Sequence, residues 1–377
     1  MISIKEKSHC CGCNACVQVC PRSCINRVVD EEGFSYPKVD TELCIKCDLC
    51  EKVCPYHNNI SSVRPISVFS AVNEEESIRM ESSSGGAFSA LAKMVLKDKG
   101  RVYGAAFNSD WEVHHIGICD EKDLYRLRGS KYVQSEMGSI YKEIKDYLDS
   151  GLTILFSGTP CQVKGLKLFL IKNYNNLITI EVVCHGVPSP KVWKVFLNEI
   201  NTENKEITSI QMRNKSRGWS SYSVEIKSED ESLFSDYARN CLYINGFIQN
   251  YSIRPSCFNC PAKAGSSGAD ITLADFWGIQ TKEPLFCDNK GVSAILINTE
   301  RGKRMVSSCD LFLKESSIDA FVKENKSYLE SAKANPNRVK FWELFPEQGL
   351  SAIKTIKESC HPSLFRKGLQ HIKRLLK

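Results

Sequence analysis

The feature that most constrains this chain is one cysteine spacing, which occurs twice within the first 54 residues. Three cysteines are separated by two residues each, a fourth follows after three more, and a proline comes directly after it. Three thiolates at this spacing can converge on one cubane from a single tight loop, and in bacterial 4Fe-4S proteins the fourth serves the other cluster. The two runs are Cys10, Cys13, Cys16, Cys20 and Cys44, Cys47, Cys50, Cys54.

The spacing therefore predicts two 4Fe-4S clusters that exchange their fourth ligands. We expect one cluster to be bound by Cys10, Cys13, Cys16 and Cys54, and the second by Cys44, Cys47, Cys50 and Cys20. The alternative is a pair of zinc sites, because a Cys-x2-Cys pair alone is equally typical of zinc. Repetition of the complete run with its proline favours iron–sulfur chemistry and hence electron transfer.

Length and composition set the class of protein. A chain of 377 residues predicts two or three domains, and 25% charged with 42% hydrophobic residues is an ordinary globular balance. No apolar run is long enough to span a membrane, and the N-terminus lacks the apolar core of a secretory signal. Ferredoxin spacing in such a chain favours reduced thiols, so we expect a cytoplasmic protein. Both charge signs are mixed and no recognised motif occurs, so no nucleic-acid partner is expected.

The order of segments predicts an α+β or α/β chain with a small domain in front of a larger one. Residues 1–60 are predicted to form a di-cluster ferredoxin domain. Residues 66–345 alternate short β-rich runs with helical patterns, which predicts a mixed α/β domain with a largely parallel sheet. Adjoining strand-like segments at 206–235 predict an antiparallel insertion. Residues 346–377 are predicted to form a basic helical tail.

Four further cysteines have positions that suggest a third cluster. Cys161 and Cys184 each follow an apolar strand, and Cys257 and Cys260 form a loop pair. Groups at the carboxyl ends of parallel strands converge on one crevice, so these four thiolates could bind a third 4Fe-4S cluster. The alternatives are unliganded buried thiols for the first two and a zinc knuckle for the pair. Cys11 is ambiguous, and the cysteines without ligand spacing are interpreted as structural: Cys24, Cys119, Cys241, Cys287, Cys309 and Cys360.

Two loops are candidates for a flavin site, since a flavin is the usual converter between one-electron clusters and a hydride. Hydroxyls and glycines before a helix can offer N–H groups to a phosphate, although a simple N-cap is the alternative. The second loop brings cations, donors and an aromatic together, with a solvated turn as the alternative. The candidate residues are Ser83, Ser84, Gly85 and Gly86 in the first loop and Gly129, Ser130, Lys131 and Tyr132 in the second.

Six motifs in order make the chain resemble a known family. They are SSSGGAFSAL, RGSKYVQS, FSGTPCQVKGL, CHGVPSP, RPSCFNCPAK and ADITLADFWG. Together they resemble the coenzyme F420 hydrogenase/dehydrogenase beta-subunit family, in which an N-terminal double ferredoxin is a common attachment. The resemblance implies FAD at the two loops, a 4Fe-4S cluster at the third cysteine set, and exchange of electrons with a hydride carrier such as F420. We assign Lys131 a catalytic role, because a cation near the flavin N1/C2 carbonyl stabilises the reduced anion.

Two functions suit these cofactors. The first is an FAD- and iron–sulfur-dependent oxidoreductase acting on F420 or on a bacterial metabolite or glycan precursor, since relatives occur in polysaccharide clusters. The second is an electron-transfer subunit without a substrate of its own. Both imply a redox partner protein, either a ferredoxin or an oxidoreductase subunit. An enzyme needs open space with convergent donors against the flavin ring, whereas a subunit that only conducts electrons does not.

The C-terminal residues 363–377 carry five basic and no acidic residues, with apolar residues at roughly helical spacing. One interpretation is a helix that docks on its own domain. The other is an interfacial helix on an anionic membrane surface, which would place the protein peripherally at the inner membrane face.

Overall fold

The computed structural model of the chain describes residues 1–281, 283, 286 and 288–360. At its N-terminus a two-stranded antiparallel hairpin, β1 (Ile25–Val29) and β2 (Ser35–Val39), accompanies two short helices, α1 (Ala15–Val19) and α2 (Leu49–Lys52). Each helix starts within a cysteine run, directly after a residue in the left-handed backbone conformation. This arrangement confirms the predicted small ferredoxin-like unit.

The larger part of the chain alternates strands and helices. Its strands are β3 (Ser67–Asn73), β4 (Arg101–Phe107), β5 (Val113–Ile118), β6 (Ile154–Gly158), β7 (Leu177–Val182), β8 (Ile207–Asn214), β9 (Ser223–Ser228), β10 (Ser232–Tyr237), β11 (Ile271–Asp275), β12 (Ser293–Ile297) and β13 (Leu311–Ser316). Its helices are α3 (Glu76–Glu81), α4 (Ala87–Lys97), α5 (Ile140–Asp149), α6 (Pro160–Leu170), α7 (Pro190–Ile200), α8 (Leu242–Ile248), α9 (Glu300–Ser307), α10 (Ile318–Val322), α11 (Arg338–Gln348) and α12 (Ser351–Cys360).

The main sheet is mixed, with strand order β13-β3-β12-β11-β7-β6-β4-β5. Its centre, β11-β7-β6-β4, is parallel as the sequence predicts, and helices cross over between these strands. The outer strands β5, β12, β3 and β13 are antiparallel to their neighbours, which the sequence did not predict. For β5 the reason is a short connection: residues 108–112 are too few for the crossover that a parallel pair needs.

The hydrophobic core lies on both faces of this sheet. The apolar stripe of α4 packs on one face, where Leu91 and Val95 contact buried residues of the strands, such as Leu155. Helices α5 and α6 cover the other face around Phe156 and Val163. Because β6 and β12 are buried on both faces, their sequences read as continuous apolar runs.

The predicted antiparallel insertion is confirmed as a separate sheet, β10-β9-β8. A third core joins it to α7, α8, α11 and α12, with Trp193, Tyr243 and Phe341 among its buried side chains. The predicted boundary at 345/346 falls within α11, and Ile353 and Ile356 of α12 are buried in this core. The predicted domain limits otherwise stay predictions.

The predictions on the C-terminal helix and on membrane-spanning helices concern different parts of the chain. Residues 363–377, and with them the proposed docked or membrane-surface helix, lie outside the described residues. Within the described part of the chain, no helix combines the length and apolarity needed to cross a bilayer.

The ferredoxin-like unit docks on the larger part through buried polar contacts. Gln18 accepts a hydrogen bond from the backbone N–H of Tyr141 at 2.8 Å. Glu32 lies in the β1–β2 turn and forms a two-point ion pair with Arg338 of α11, with Nη1 at 2.8 Å from Oε1. Their side chains are only 11% and 15% exposed, so each charge depends on the other for its solvation.

This ion pair predicts a stability difference between two substitutions. Arg338→Met leaves the Glu32 carboxylate buried and unpaired, which should cost about 3 kcal/mol of unfolding free energy. Lys145→Met removes the exposed pair between Lys145 and Asp149 within α5 and should cost less than about 0.5 kcal/mol. Denaturant unfolding of both variants gives the comparison. Equal losses would show that the Glu32–Arg338 contact does not hold the two units together.

Candidate functional site

One predicted cysteine set lines a single small cavity near the N-terminus. Its members are Cys20, Cys44, Cys47 and Cys50. Left-handed backbone at Lys46 and Asp48 winds this loop. Backbone N–H groups point at two of the sulfurs, from Lys46 to Cys44 Sγ at 3.4 Å and from Ile2 to Cys50 Sγ at 3.3 Å. Hydrogen bonds to sulfur are typical of iron–sulfur loops. Cys24, which we interpreted as structural, lies in the same cavity with its sulfur 3.4 Å from that of Cys20.

The other ferredoxin set lies beside a cavity of about 870 Å³ between the ferredoxin-like unit and the larger part. Its cysteines, which line this cavity, are Cys10, Cys13, Cys16 and Cys54. Burial raises the pKa of Cys16, and the charges of Cys10 and Cys54 raise it further, so these three thiols lie close together. Gly12, between two of them, is left-handed, and a Cβ there would lie 2.4 Å from Gln134.

The eight ferredoxin cysteines remain available as ligands. All eight are free thiols. Over the described ranges of the chain, no three Cys, His, Asp or Glu side chains are grouped so that they could hold one metal ion. In a cubane each thiolate binds a different iron atom, so the four thiolates stand further apart than the ligands of a single zinc ion.

The structure also brings the third cysteine set together. Strands β6 and β7 are parallel neighbours, so Cys161 and Cys184 emerge at the same sheet edge, facing the 3-10 helix Pro255–Asn259. Burial raises the pKa of Cys184, and the charges of Cys257, Cys161 and Cys260 raise it further. Burial likewise raises the pKa of Cys257 to about 12 and that of Cys260 to about 11, with contributions from Cys161. The backbone N–H of Val187 donates to Cys257 Sγ at 3.4 Å.

Cys11 connects the ferredoxin-like unit to this third set. It is buried, and its thiol is close enough to Cys161 that, together with burial, it raises the pKa of Cys161 well above the usual value. Tyr56, which follows the second cysteine run, reinforces the contact because its hydroxyl donates to the Asn259 carbonyl at 2.8 Å. The sequence left Cys11 without a role, since its neighbours along the chain complete the cluster motif without it.

Arg254 is a second connection that the sequence did not reveal. It precedes the Cys257 loop and is fully buried. Its guanidinium donates to the Cys10 carbonyl at 2.6 Å, to Ser35 O at 2.9 Å and to Gln134 Oε1 at 3.0 Å. Nη2 also lies 3.6 Å from Cys10 Sγ. One permanent positive charge therefore lies between the two cysteine sets.

The two predicted flavin loops meet. The backbone N–H and the hydroxyl of Ser130 both hydrogen-bond to Ser83 Oγ, at 2.7 and 2.9 Å. Helix α4 begins after Gly86, which has no side chain to cap the first turn. A phosphate site at this helix start stays a prediction. Tyr132 lies further along the second loop with its ring 5.2 Å from that of Phe247.

The glycines of the first loop are required by packing. A Cβ on Gly85 would lie 2.2 Å from the Ala71 carbonyl, and Gly86 has φ +85° with Asn73 Cβ 2.9 Å from its own ideal Cβ. In the second loop Gly129 has φ +83° but open space around it. A loss of flavin after Gly86→Leu would therefore not distinguish blocked phosphate approach from a disturbed fold.

The ammonium of Lys131, our catalytic candidate, is held by its own loop. It donates to the Arg126 and Arg128 carbonyls at 2.9 and 2.8 Å, and burial lowers its pKa to about 7. A different lysine contacts the first flavin loop. Lys215, just beyond β8, is buried and donates to Ser84 O at 2.8 Å and to the Arg79 and Lys290 carbonyls. This contact of Lys215 forms because the antiparallel insertion folds onto the first flavin loop, so the sequence alone does not reveal it.

Known proteins share this organisation. The family description "Coenzyme F420 hydrogenase/dehydrogenase, beta subunit N-term" matches residues 68–142, and the description of the C terminus of the same F420 hydrogenase/dehydrogenase beta subunit matches 151–319. Residues 9–58 match "4Fe-4S dicluster domain", which makes this an iron–sulfur protein. The chain belongs to the coenzyme F420 hydrogenase/dehydrogenase beta-subunit family, as its six motifs predict.

Individual relatives are more distant. "Coenzyme F420-dependent sulfite reductase" of Methanocaldococcus jannaschii is 24% identical over 319 residues, which are 82% of this chain and 47% of that protein. "Ferredoxin 7Fe" of Hydrogenibacillus schlegelii is 41% identical over 49 residues, 12% of this chain and 56% of that protein. The chain thus spans about half the length of the curated relatives it matches. A chain of the F420-reducing [NiFe] hydrogenase complex from Methanosarcina barkeri aligns with TM-score 0.47 and 16% identity, covering 79% of this chain and 93% of that one.

Gly129 and Gly86 predict different losses of stability when each is replaced by alanine. Gly129→Ala should cost about 1 kcal/mol, because only the left-handed backbone is strained. Gly86→Ala should cost about 3 kcal/mol, since the same strain is joined by crowding against Asn73. Thermal unfolding without added flavin measures both. Equal shifts in midpoint would contradict a packing requirement at Gly86.

Proposed function

We propose that this protein is an FAD- and iron–sulfur-dependent oxidoreductase that exchanges electrons between a redox partner protein and a hydride-carrying or small organic substrate. The observation that carries the proposal is the contact between Arg254, which precedes the Cys257 loop, and the Cys10 carbonyl at 2.6 Å, because it joins the ferredoxin cysteines to the third set. Gln162, the residue after Cys161, extends these contacts toward the second flavin loop, because it donates to Ser135 Oγ at the end of that loop at 2.8 Å. The loop then reaches Ser83 through Ser130.

Each group of residues has a distinct role in this proposal. The twelve predicted cysteines hold three 4Fe-4S clusters, and Ser83, Ser130 and the uncapped start of α4 hold the phosphates of FAD. When bound, the clusters supply one-electron transfer and the flavin converts between one electron and a hydride. Arg254 and Gln134 fix the spacing between the first and third cysteine sets. Lys131, whose pKa burial lowers to about 7, supplies positive charge beside the flavin loop when its amine is protonated.

The proposed substrate class rests on the relatives. We favour F420 or a similar deazaflavin, because the sulfite reductase relative is named for its dependence on F420. A bacterial metabolite or glycan precursor is the second candidate, since the family resemblance includes proteins of polysaccharide clusters.

The alternative function is an electron-transfer subunit that serves a partner enzyme. It is supported by the extent of the match to the sulfite reductase, which covers 82% of this chain but only 47% of that protein. In this alternative a partner enzyme supplies the terminal reduction.

Cofactor content tests the proposal. Anaerobically reconstituted protein should contain about twelve irons, four per cubane, and about one FAD per chain. Cys257→Ala should remove about four irons and leave the ferredoxin pair, whereas Cys119→Ala, at an exposed cysteine outside the three sets, should change nothing. Iron analysis and acid-released flavin give the counts. About eight irons in the fully loaded parent protein would remove the third cluster from the proposal.

Reduced F420 separates the enzyme from the subunit. An enzyme should oxidise reduced F420 without a partner, seen as the return of deazaflavin absorbance while the brown iron–sulfur colour bleaches. In Cys257→Ala the flavin should still be reduced, but bleaching of the ferredoxin signal should slow at least tenfold, the equivalent of about 1.4 kcal/mol in barrier. A parent protein that leaves reduced F420 untouched, but is bleached by dithionite, would favour the subunit or the second substrate class.

A further inference from the structure

Arg213 is a buried cation with half of its hydrogen-bonding edge unused. It lies on β8, and its side chain is only 3% exposed. Nη1 pairs with Asp275 at the end of β11. Among the described residues, Nε and Nη2 have no hydrogen-bond partner at all. Buried hydrogen-bond donors in native proteins nearly always have a partner. Two unpaired donors on one charged group therefore indicate a missing acceptor.

The two free donors have a geometry that specifies the acceptor. Nε and Nη2 lie on one side of the planar guanidinium and point in parallel. That fork matches two oxygens of a single carboxylate or phosphate and binds them bidentately. A single oxygen can also accept from both donors, as the Gly291 carbonyl does from Nε and Nη2 of Arg79, but only an oxyanion adds a negative charge to the two bonds.

Aromatic rings form the walls around this fork. The guanidinium carbon lies 4.4 Å from the centre of the Tyr222 ring and 5.3 Å from that of Trp277. Trp277 stacks on Trp219 at 4.5 Å, and Trp219 donates to the second oxygen of Asp275 at 3.0 Å, which fixes the acid. Tyr222 and Trp277 are each half-buried, so these rings extend from the buried guanidinium to the protein surface.

The charge balance also favours an anion. Asp275 offsets the charge of Arg213, but Lys215 adds another buried cation close enough to Arg213 that their charges oppose each other. Burial, with smaller contributions from the charges of Arg79 and Arg213, lowers the pKa of Lys215 to about 7. The Lys215 ammonium also holds the carbonyl of Ser84, so the fork lies on the same side of the fold as the first flavin loop.

We infer that Arg213, walled by Tyr222 and Trp277, is a binding site for an oxyanion that presents two oxygens, as phosphate does. Two sources share this chemistry: a phosphate of the flavin itself, or an acidic group on the substrate. The choice between these sources rests on the proposed function, whereas the anion site does not.

The test uses inorganic phosphate as the probe and Arg217 as the matched control. Arg213→Lys keeps the charge beside Asp275 but loses the fork, so phosphate binding should weaken about tenfold, as expected for one lost charge-assisted hydrogen bond. Arg217→Lys, at an exposed arginine over the Tyr237 ring, should leave binding unchanged. Calorimetric titration of iron-loaded protein at constant ionic strength measures the dissociation constants.

Asp275→Asn gives a change of the opposite sign. Neutralising the competing acid should tighten phosphate binding, which a variant that merely misfolds cannot do. Absence of phosphate binding in the parent protein, or equal binding in Arg213→Lys, overturns the inference. So does weaker binding in an Asp275→Asn protein that retains full iron content.

Comparison of flavin-free with FAD-loaded protein distinguishes the two sources. Phosphate binding that depends on Arg213 only without flavin assigns the fork to the flavin phosphate. Binding in both forms assigns it to a second ligand, the acidic substrate. A protein that binds phosphate through Arg213 but never retains FAD would contradict the proposed function while leaving this site in place.

Discussion

The buried guanidinium of Arg254 is the constraint on which the arrangement of cysteines depends. A charge with no exposure to solvent must be satisfied by the protein, and here its partners come from three separate segments. They are the Cys10 carbonyl, the Ser35 carbonyl of the ferredoxin hairpin and the Gln134 side chain. Arg254 therefore couples the position of the loop that carries Cys257 and Cys260 to that of the ferredoxin-like unit. Beside Cys10, the same positive charge would favour the more negative oxidation state of a cluster bound there.

Other buried cations follow the same principle around the third cysteine set. Lys164 of α6 donates to the carbonyl of Pro261, directly after Cys260, at 2.8 Å. Lys263 donates to the carbonyl of Cys184 at 2.7 Å and also reaches Ser327 O at 2.6 Å. Each lysine ties a backbone carbonyl at or beside a cysteine to a distant element, and each brings an amine to a region rich in cysteines. Backbone position and charge neutralisation are thus achieved by the same contacts.

The sequence predicted those features whose signal is local. The ferredoxin runs could be read because their spacing itself specifies a ligand loop, and Cys161 and Cys184 because each follows a strand of a parallel pair. Contacts between distant segments gave no such signal. Lys215 meets Ser84 across 131 positions of the chain, and Arg254 meets Cys10 across 244. The antiparallel outer strands were missed for a related reason: a single strand pattern does not state the direction of its neighbour.

The docking of the ferredoxin-like unit limits how freely this chain can exchange parts. By sequence the first 60 residues look like a portable attachment. In the structure, Glu32 completes the solvation of Arg338, and Gln18 accepts the N–H of Tyr141 at the start of α5. A donor ferredoxin with perfect cysteine runs would leave those partners unsatisfied. Recombination in such proteins should therefore succeed only when the β1–β2 turn is exchanged together with the surface that it contacts. Evolution would then conserve this interface as a unit, and not the cluster motif alone.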